Sequence, residues 1–319
     1  MLISSSQGVG VLVSLERKLS DLEETNQEYL VRTLSKLKED LLKKFKSFLA
    51  DQLRCIEDTK VKIKKRKGVI NFIRIFPNFS YNLESMLIAA DDLDIRDLVN
   101  AAYVRIIKTM FDSLKVIARD NPSASTQGTS LADPEAKEAL NYQILLIENF
   151  SHYINEVDTR DNPVLEDWKT KARDELDKHL TLYIGAVLRR PLGKLLDMLE
   201  STEARMANLS GNTPASSIAT TPSHSKAKFK AVLANFDGKE IRSGIEVLRG
   251  RVQKHFSHST EDKETSGGGK LVEDVLDALA SAYAGVERRV AVVSREVYEG
   301  DANVEWTAED VRAGFRIGR

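Results

Sequence analysis

Lys60, Lys62, Lys64, Lys65, Arg66 and Lys67 place six cations within eight residues. Their chemistry is attraction to anionic lipid headgroups or to an acidic protein surface. Near a charged membrane each cation contributes roughly 1 kcal/mol. Val61 and Ile63 interleave with them, but two such side chains give too little apolar surface to anchor a membrane contact alone. A nuclear-localisation signal and a solvated loop between helices are the other readings of the same run. Gly267-Gly268-Gly269-Lys270 has part of the look of a phosphate loop. Glu264 stands where the first glycine of that motif belongs, and Leu271 replaces its hydroxyl residue. A flexible linker accounts better for these glycines. His255 and His258 share a helix face at i, i+3, with no third ligand in sequence reach. They read as exposed histidines at a helix C-terminus, where positive charge is favoured. Cys55, beside Arg54, reads as a packed small residue. Neither a Gly-x-Ser-x-Gly elbow nor a His-Glu-x-x-His motif occurs. The sequence therefore predicts no catalytic group, no cofactor and no metal, and a protein that is not an enzyme.

Elements that position these residues emerge from apolar spacing. Leu15, Leu19, Leu22, Leu30, Leu34, Leu37, Leu41, Phe45, Phe48, Leu53 and Ile56 recur mostly at threes and fours. That spacing predicts a helix of roughly 45 residues, interrupted in its seam at Asn26. Its N-terminal half, through Leu15, Leu19, Leu22, Leu30, Leu34 and Leu37, is a candidate seam for a partner helix. Pro77 predicts a break between helices, with a short helix near residues 83–90 beyond it. Asp94 opens the next helix. Pro163 enters a further one, which Pro191 should kink or split. Val290 to Val297 is rich in β-branched residues, yet its spacing continues from Val272 and predicts helix. Thr307 and Asp310 match a capping box with Asp in place of Glu.

No strand–helix alternation is present, which argues against an α/β enzyme. The predicted fold is all-α, an elongated rod of consecutive antiparallel helical bundles. Its parts are a long N-terminal helix with the basic loop (1–67), a bundle (68–208), a mobile loop rich in Ser, Thr and Pro (209–225) and a C-terminal bundle (226–319). Forty-seven basic residues balance 48 acidic ones, so no electrostatic footprint for nucleic acid exists. A single cysteine excludes an intrachain disulfide and suits a reducing compartment. Neither a secretory leader nor an apolar span of about 18 residues is found. The expectation is a cytoplasmic protein, at most peripheral to a membrane.

Ordered blocks then carry a family resemblance. They are Ile147-Glu148-Asn149-Phe150-Ser151-His152, Arg190-Pro191-Leu192-Gly193-Lys194-Leu195 and Glu203-Ala204-Arg205. Asp237-Gly238-Lys239-Glu240-Ile241, Gly244, Val252-Gln253-Lys254-His255 and Trp306-Thr307-Ala308-Glu309-Asp310-Val311 come next, and Lys64-Lys65-Arg66-Lys67-Gly68-Val69 lies upstream. Together they resemble the C-terminal region of the exocyst component one family. That resemblance implies a helical rod of a multisubunit tether. It would assemble with other exocyst subunits and dock secretory vesicles at sites of secretion on the plasma membrane before fusion. The family also has an N-terminal pleckstrin-homology-like domain for phosphoinositide and Rho-type GTPases. The sequence as given does not contain it, so the chain is expected to be the assembly end of such a subunit. The competing class is a peripheral protein binding anionic phospholipid through the basic loop.

Overall fold

The computed structural model describes residues 2–62, 68–119, 134–160, 163–209, 213–256 and 267–316. Among these residues there is no strand, and the all-α expectation holds. In chain order the helices are α1 (Leu2–Leu22), α2 (Glu28–Lys62), α3 (Asn71–Met86), α4 (Asp94–Arg119), α5 (Pro134–Arg160), α6 (Glu166–Ala207), α7 (Lys226–Leu233), α8 (Gly238–His255), α9 (Gly267–Tyr298) and α10 (Ala308–Arg316). Short 3-10 turns lie at Pro163–Leu165, Ala215–Thr220 and Pro222–His224. The chain divides into two compact units, Met1–Asp177 and Lys178–Arg319.

In the first unit, the expected long N-terminal helix is two helices. The polar run 23–27 separates α1 from α2. Thr25 closes α1, its N–H and its hydroxyl both donating to the Leu22 carbonyl at 3.0 and 2.8 Å. A helix end needs such partners for its last carbonyls. The apolar spacing stays in phase on both sides of the turn, so periodicity alone does not reveal it. Glu16 of α1 pairs with Lys38 of α2 at 3.1 Å, which fastens the second helix back along the first.

Pro77 does not break the chain either. It is buried inside α3, where Ile73, Phe76, Ser80 and Leu83 bury the same helix. Apolar burial of this kind, at roughly 1.5–3 kcal/mol per large side chain, offsets the approximately 3 kcal/mol that an interior proline costs. The expected short helix at 83–90 is in fact the end of α3 followed by a turn. Arg17 of α1 donates to the Ile88 and Ala89 carbonyls in that turn, at 3.2 and 2.5 Å. α4 opens at Asp94 as expected, and the Ile95 N–H donates to Glu16 Oε2 at 3.2 Å. Beyond it, Glu84 accepts from Arg96 (2.8 Å) and from the Tyr103 hydroxyl (2.9 Å). Burial, and then the Glu84 charge, push the Tyr103 phenol far upward, so it remains a donor. The core centres on Phe111, whose ring meets Phe150, Tyr153 and Trp168 edge-on at 5.2, 5.3 and 5.9 Å.

In the second unit, α6 runs through Pro191 as one helix rather than splitting. Composition predicts a loop over 209–225. Among its described residues, Ala215–Thr220 and Pro222–His224 form the two 3-10 turns, with Ile218 and His224 buried. Ser201 meets His224 Nε2 at 2.8 Å, and the Tyr298 hydroxyl donates to the His224 carbonyl at 2.9 Å. Ser225 and Asp237 cap α7 and α8. Residues 290–297 are helical, within α9.

The capping box is formed. The Thr307 N–H donates to Asp310 Oδ2 at 2.9 Å, and the Asp310 N–H donates to Thr307 Oγ1 at 3.2 Å. The backbone bond from Thr307, then its hydroxyl, lower the Asp310 carboxyl below its ordinary value. A depressed carboxylate stabilises fully above its unfolded value, near about 4, and its contribution is lost as pH falls through the folded value. Amide protection across α10 should therefore fall on acidification more steeply in the wild type than in Asp310→Ala. Hydrogen exchange as a function of pH measures this. Parallel wild-type and variant profiles would contradict it.

Candidate functional site

The partner seam predicted along one helix is split by the hairpin. On α1, Leu15 and Leu22 are buried and Leu19 is half-buried, so this half is used inside the unit. On α2, Leu34 is half-buried, while Leu30 and Leu37 are 37% and 47% exposed. Tyr29, which spacing did not single out, is 85% exposed beside them. No α2 residue before Phe45 is fully buried. The N-terminal half of α2 thus carries leucines at i, i+4 and i+7 with only one flank partly covered. Isolated helical turns are marginal in water and draw their stability from packing of an apolar face. The result is an apolar stripe lying on an open helix face.

Of the basic run, Lys60 and Lys62 lie in the last turn of α2, and their side chains are outside the described residues, as are residues 63–67 altogether. The chain just past the run is firmly held. Gly68 has φ +75, a conformation that glycine adopts without a Cβ penalty. Its N–H donates to Glu148 Oε2 at 3.1 Å. The Ile70 N–H donates to Asn149 Oδ1 at 2.7 Å, and Asn149 Nδ2 returns donations to the Gly68 and Leu145 carbonyls at 3.2 and 2.7 Å. Asn149 is fully buried. Motif reading found this block but not its task. The legible signal was a polar residue set into the apolar stripe Leu145, Leu146, Phe150 and Tyr153 of α5.

Cys55, expected to be packed, is exposed on α2. His255, expected to be exposed, is half-buried, its Nδ1 2.9 Å from the Tyr183 hydroxyl. Burial, then Arg251, Arg190 and Lys254, lower its pKa. His258 lies outside the described residues. Gly267 to Lys270, expected to be linker, form the first turn of α9. Among the described residues no group of three or more His, Cys, Asp or Glu is placed to hold a metal ion. No described helix is long and apolar enough to cross a membrane.

Comparison with known proteins bears on this arrangement directly. The family model described as exocyst complex component Sec3, C-terminal, matches residues 3–300. Exocyst complex component 1 of Drosophila melanogaster is 20% identical over 314 residues, which is 98% of this chain and 32% of the fly protein. The Mus musculus protein of the same name is 23% identical over 72% of this chain and 23% of its own length. That of Dictyostelium discoideum is 22% identical over 74% and 25%. The chain thus spans at most about a third of the curated relatives it matches. No solved structure matches it. With the family model covering nearly all of the residues described above, the chain belongs to the exocyst component Sec3 C-terminal family.

Proposed function

We propose that this chain is an assembly region of an exocyst subunit, acting in the cytoplasm where secretory vesicles are tethered to the plasma membrane before fusion. The observation that carries the reading is the open N-terminal half of α2, through Leu30, Leu34 and Leu37. Tethers need length and specific partners rather than a reactive group. An uncovered helix face beside a well-packed unit supplies the second. The partners are the other exocyst subunits, contacted helix to helix. The basic run from Lys60 to Lys67 then serves as a contact for acidic partner surfaces or anionic headgroups.

The test is affinity purification of the tagged chain from secreting cells, with quantitative mass spectrometry of what accompanies it. Wild type should recover exocyst subunits. Leu30→Glu, Leu34→Glu and Leu37→Glu combined should lower that recovery at least about tenfold, the equivalent of about 1.4 kcal/mol. Leu30→Glu and Leu37→Glu alone should hardly move the thermal melt, since exposed substitutions usually fall within about 0.5 kcal/mol each, and the half-buried Leu34 accounts for most of any shift in the triple variant. Recovery that survives the triple change would remove the seam. Absence of exocyst subunits in the wild-type sample would sink the subunit reading itself.

A further inference from the structure

The second unit holds a cleft of about 300 Å³ between α6, α8 and α9, at the small end for ligand sites. Arg190 and Arg251 stand on its wall. Neither has an ion-pair partner among the described residues. Arg251 is half-buried, and its pKa is lowered by burial and then by Arg190. Two guanidiniums on one wall, that of Arg251 half-buried and that of Arg190 exposed, leave an excess of positive charge that Glu240 in the same lining offsets only in part. The cleft is also lined by Tyr283, a fully buried residue whose hydroxyl has no hydrogen-bond partner. A buried polar group of this kind is exceptional and calls for an explanation. Gly244 lies against this hydroxyl, which is closed off from solvent: a Cβ there would lie 3.5 Å from it and 3.3 Å from Pro191 Cβ. The remaining lining is mixed, with Phe236 and Val247 apolar and Glu240 acidic.

We infer that this cleft binds an acidic–apolar peptide segment of a partner protein, with one side-chain carboxylate seated between Arg190 and Arg251. A guanidinium matches a carboxylate with two parallel donors. Phe236 and Val247 take the neighbouring apolar side chain. Glu240 repels any anion, and a multiply charged phosphate or lipid headgroup more strongly than a single carboxylate. A peptide, by contrast, brings backbone N–H groups that Glu240 can accept. This inference rests on the reading of the chain as a subunit of a multiprotein assembly, but uses none of the α2 seam.

Trp306, whose ring meets Tyr283 at 5.9 Å, gives a local signal. The full chain, labelled at its indole nitrogens, is titrated with acetyl-Leu-Glu-Leu-amide and with acetyl-Leu-Gln-Leu-amide, and the Trp306 resonance is followed. The Glu peptide should shift it saturably, with the Gln peptide weaker by about tenfold or more, as expected when a charge-assisted bond is lost. Arg190→Gln should weaken the Glu peptide by a similar factor. Arg190 is exposed, so this variant keeps the test valid even if Arg251→Gln disturbs folding. Equal binding of the two peptides, no saturable shift, or an unchanged titration in Arg190→Gln would overturn the proposal. So would sedimentation with phosphoinositide vesicles that depends on Arg190 in a chain indifferent to the peptide. None of these results bears on recovery of exocyst subunits, so the two readings fail separately.

Discussion

Replacing Asn149 with alanine should destabilise the first unit by about 3 kcal/mol, because it strands two backbone groups at once. The Ile70 N–H loses its acceptor, and the Gly68 carbonyl loses its donor. Ile70 is buried, so water does not readily replace the lost bond. For a unit of this size the loss corresponds to roughly 6–12 °C in melting temperature. Asn149→Asp should be no milder. Its carboxylate can still accept from Ile70, but it cannot donate to the two carbonyls that Asn149 Nδ2 now satisfies. Hydrogen exchange distinguishes this mechanism from simple loss of packing, since protection at the Ile70 amide should collapse before that of α4. An Ile70 amide that stays as protected in the variant as in the wild type would refute the clamp.

The consequence extends past stability. Gly68 to Ile70 is the first segment held after the basic run, and α2 is the last one held before it. Glu148 and Asn149 therefore fix the point at which the chain leaves that run.

The helices were legible because burial on one face imposes a period that sequence carries openly. Val99, Ile106, Met110, Leu114 and Ile117 line α4 as their spacing predicts, and all are buried. The turn between α1 and α2 was not legible, since the apolar phase is unchanged across it. Pro77, as a helix break, and Pro191, as a helix split, misled for a different reason. A local rule about a missing N–H was overridden by packing from residues far along the chain. Polar contacts were hardest of all. Glu16 with Ile95, and Asn149 with Ile70, join positions some eighty residues apart, each 79 in sequence. Nothing in local spacing encodes such pairs. The cleft obeys the same logic, since Arg190, Arg251 and Tyr283 are supplied by three helices.

Glu16 carries the second large effect. It is a buried carboxylate that serves three helices together. It projects from α1, pairs with Lys38 of α2 at 3.1 Å, and accepts from the first turn of α4 through the Ile95 N–H at 3.2 Å. Glu16→Ala leaves Lys38, its side chain 24% exposed, with only the exposed Asp94 carboxylate at 3.6 Å, and leaves a buried N–H unsatisfied. Breaking a buried pair from one side costs about 3–5 kcal/mol. Because Lys38 retains some solvent, the lower end is expected, about 3 kcal/mol. Glu16→Gln keeps an acceptor for Ile95 and should cost less, about 1–2 kcal/mol, from the charge alone. Lys38→Met in each background completes a double-mutant cycle. The cycle should return a coupling of at least about 1 kcal/mol in urea unfolding. A coupling near zero would reduce the pair to a surface contact. Since Lys38 lies one residue beyond Leu37, the same ion pair sets how the open face of α2 is presented. On the proposed function, Glu16→Ala should therefore also weaken recovery of exocyst subunits, although Glu16 itself is buried.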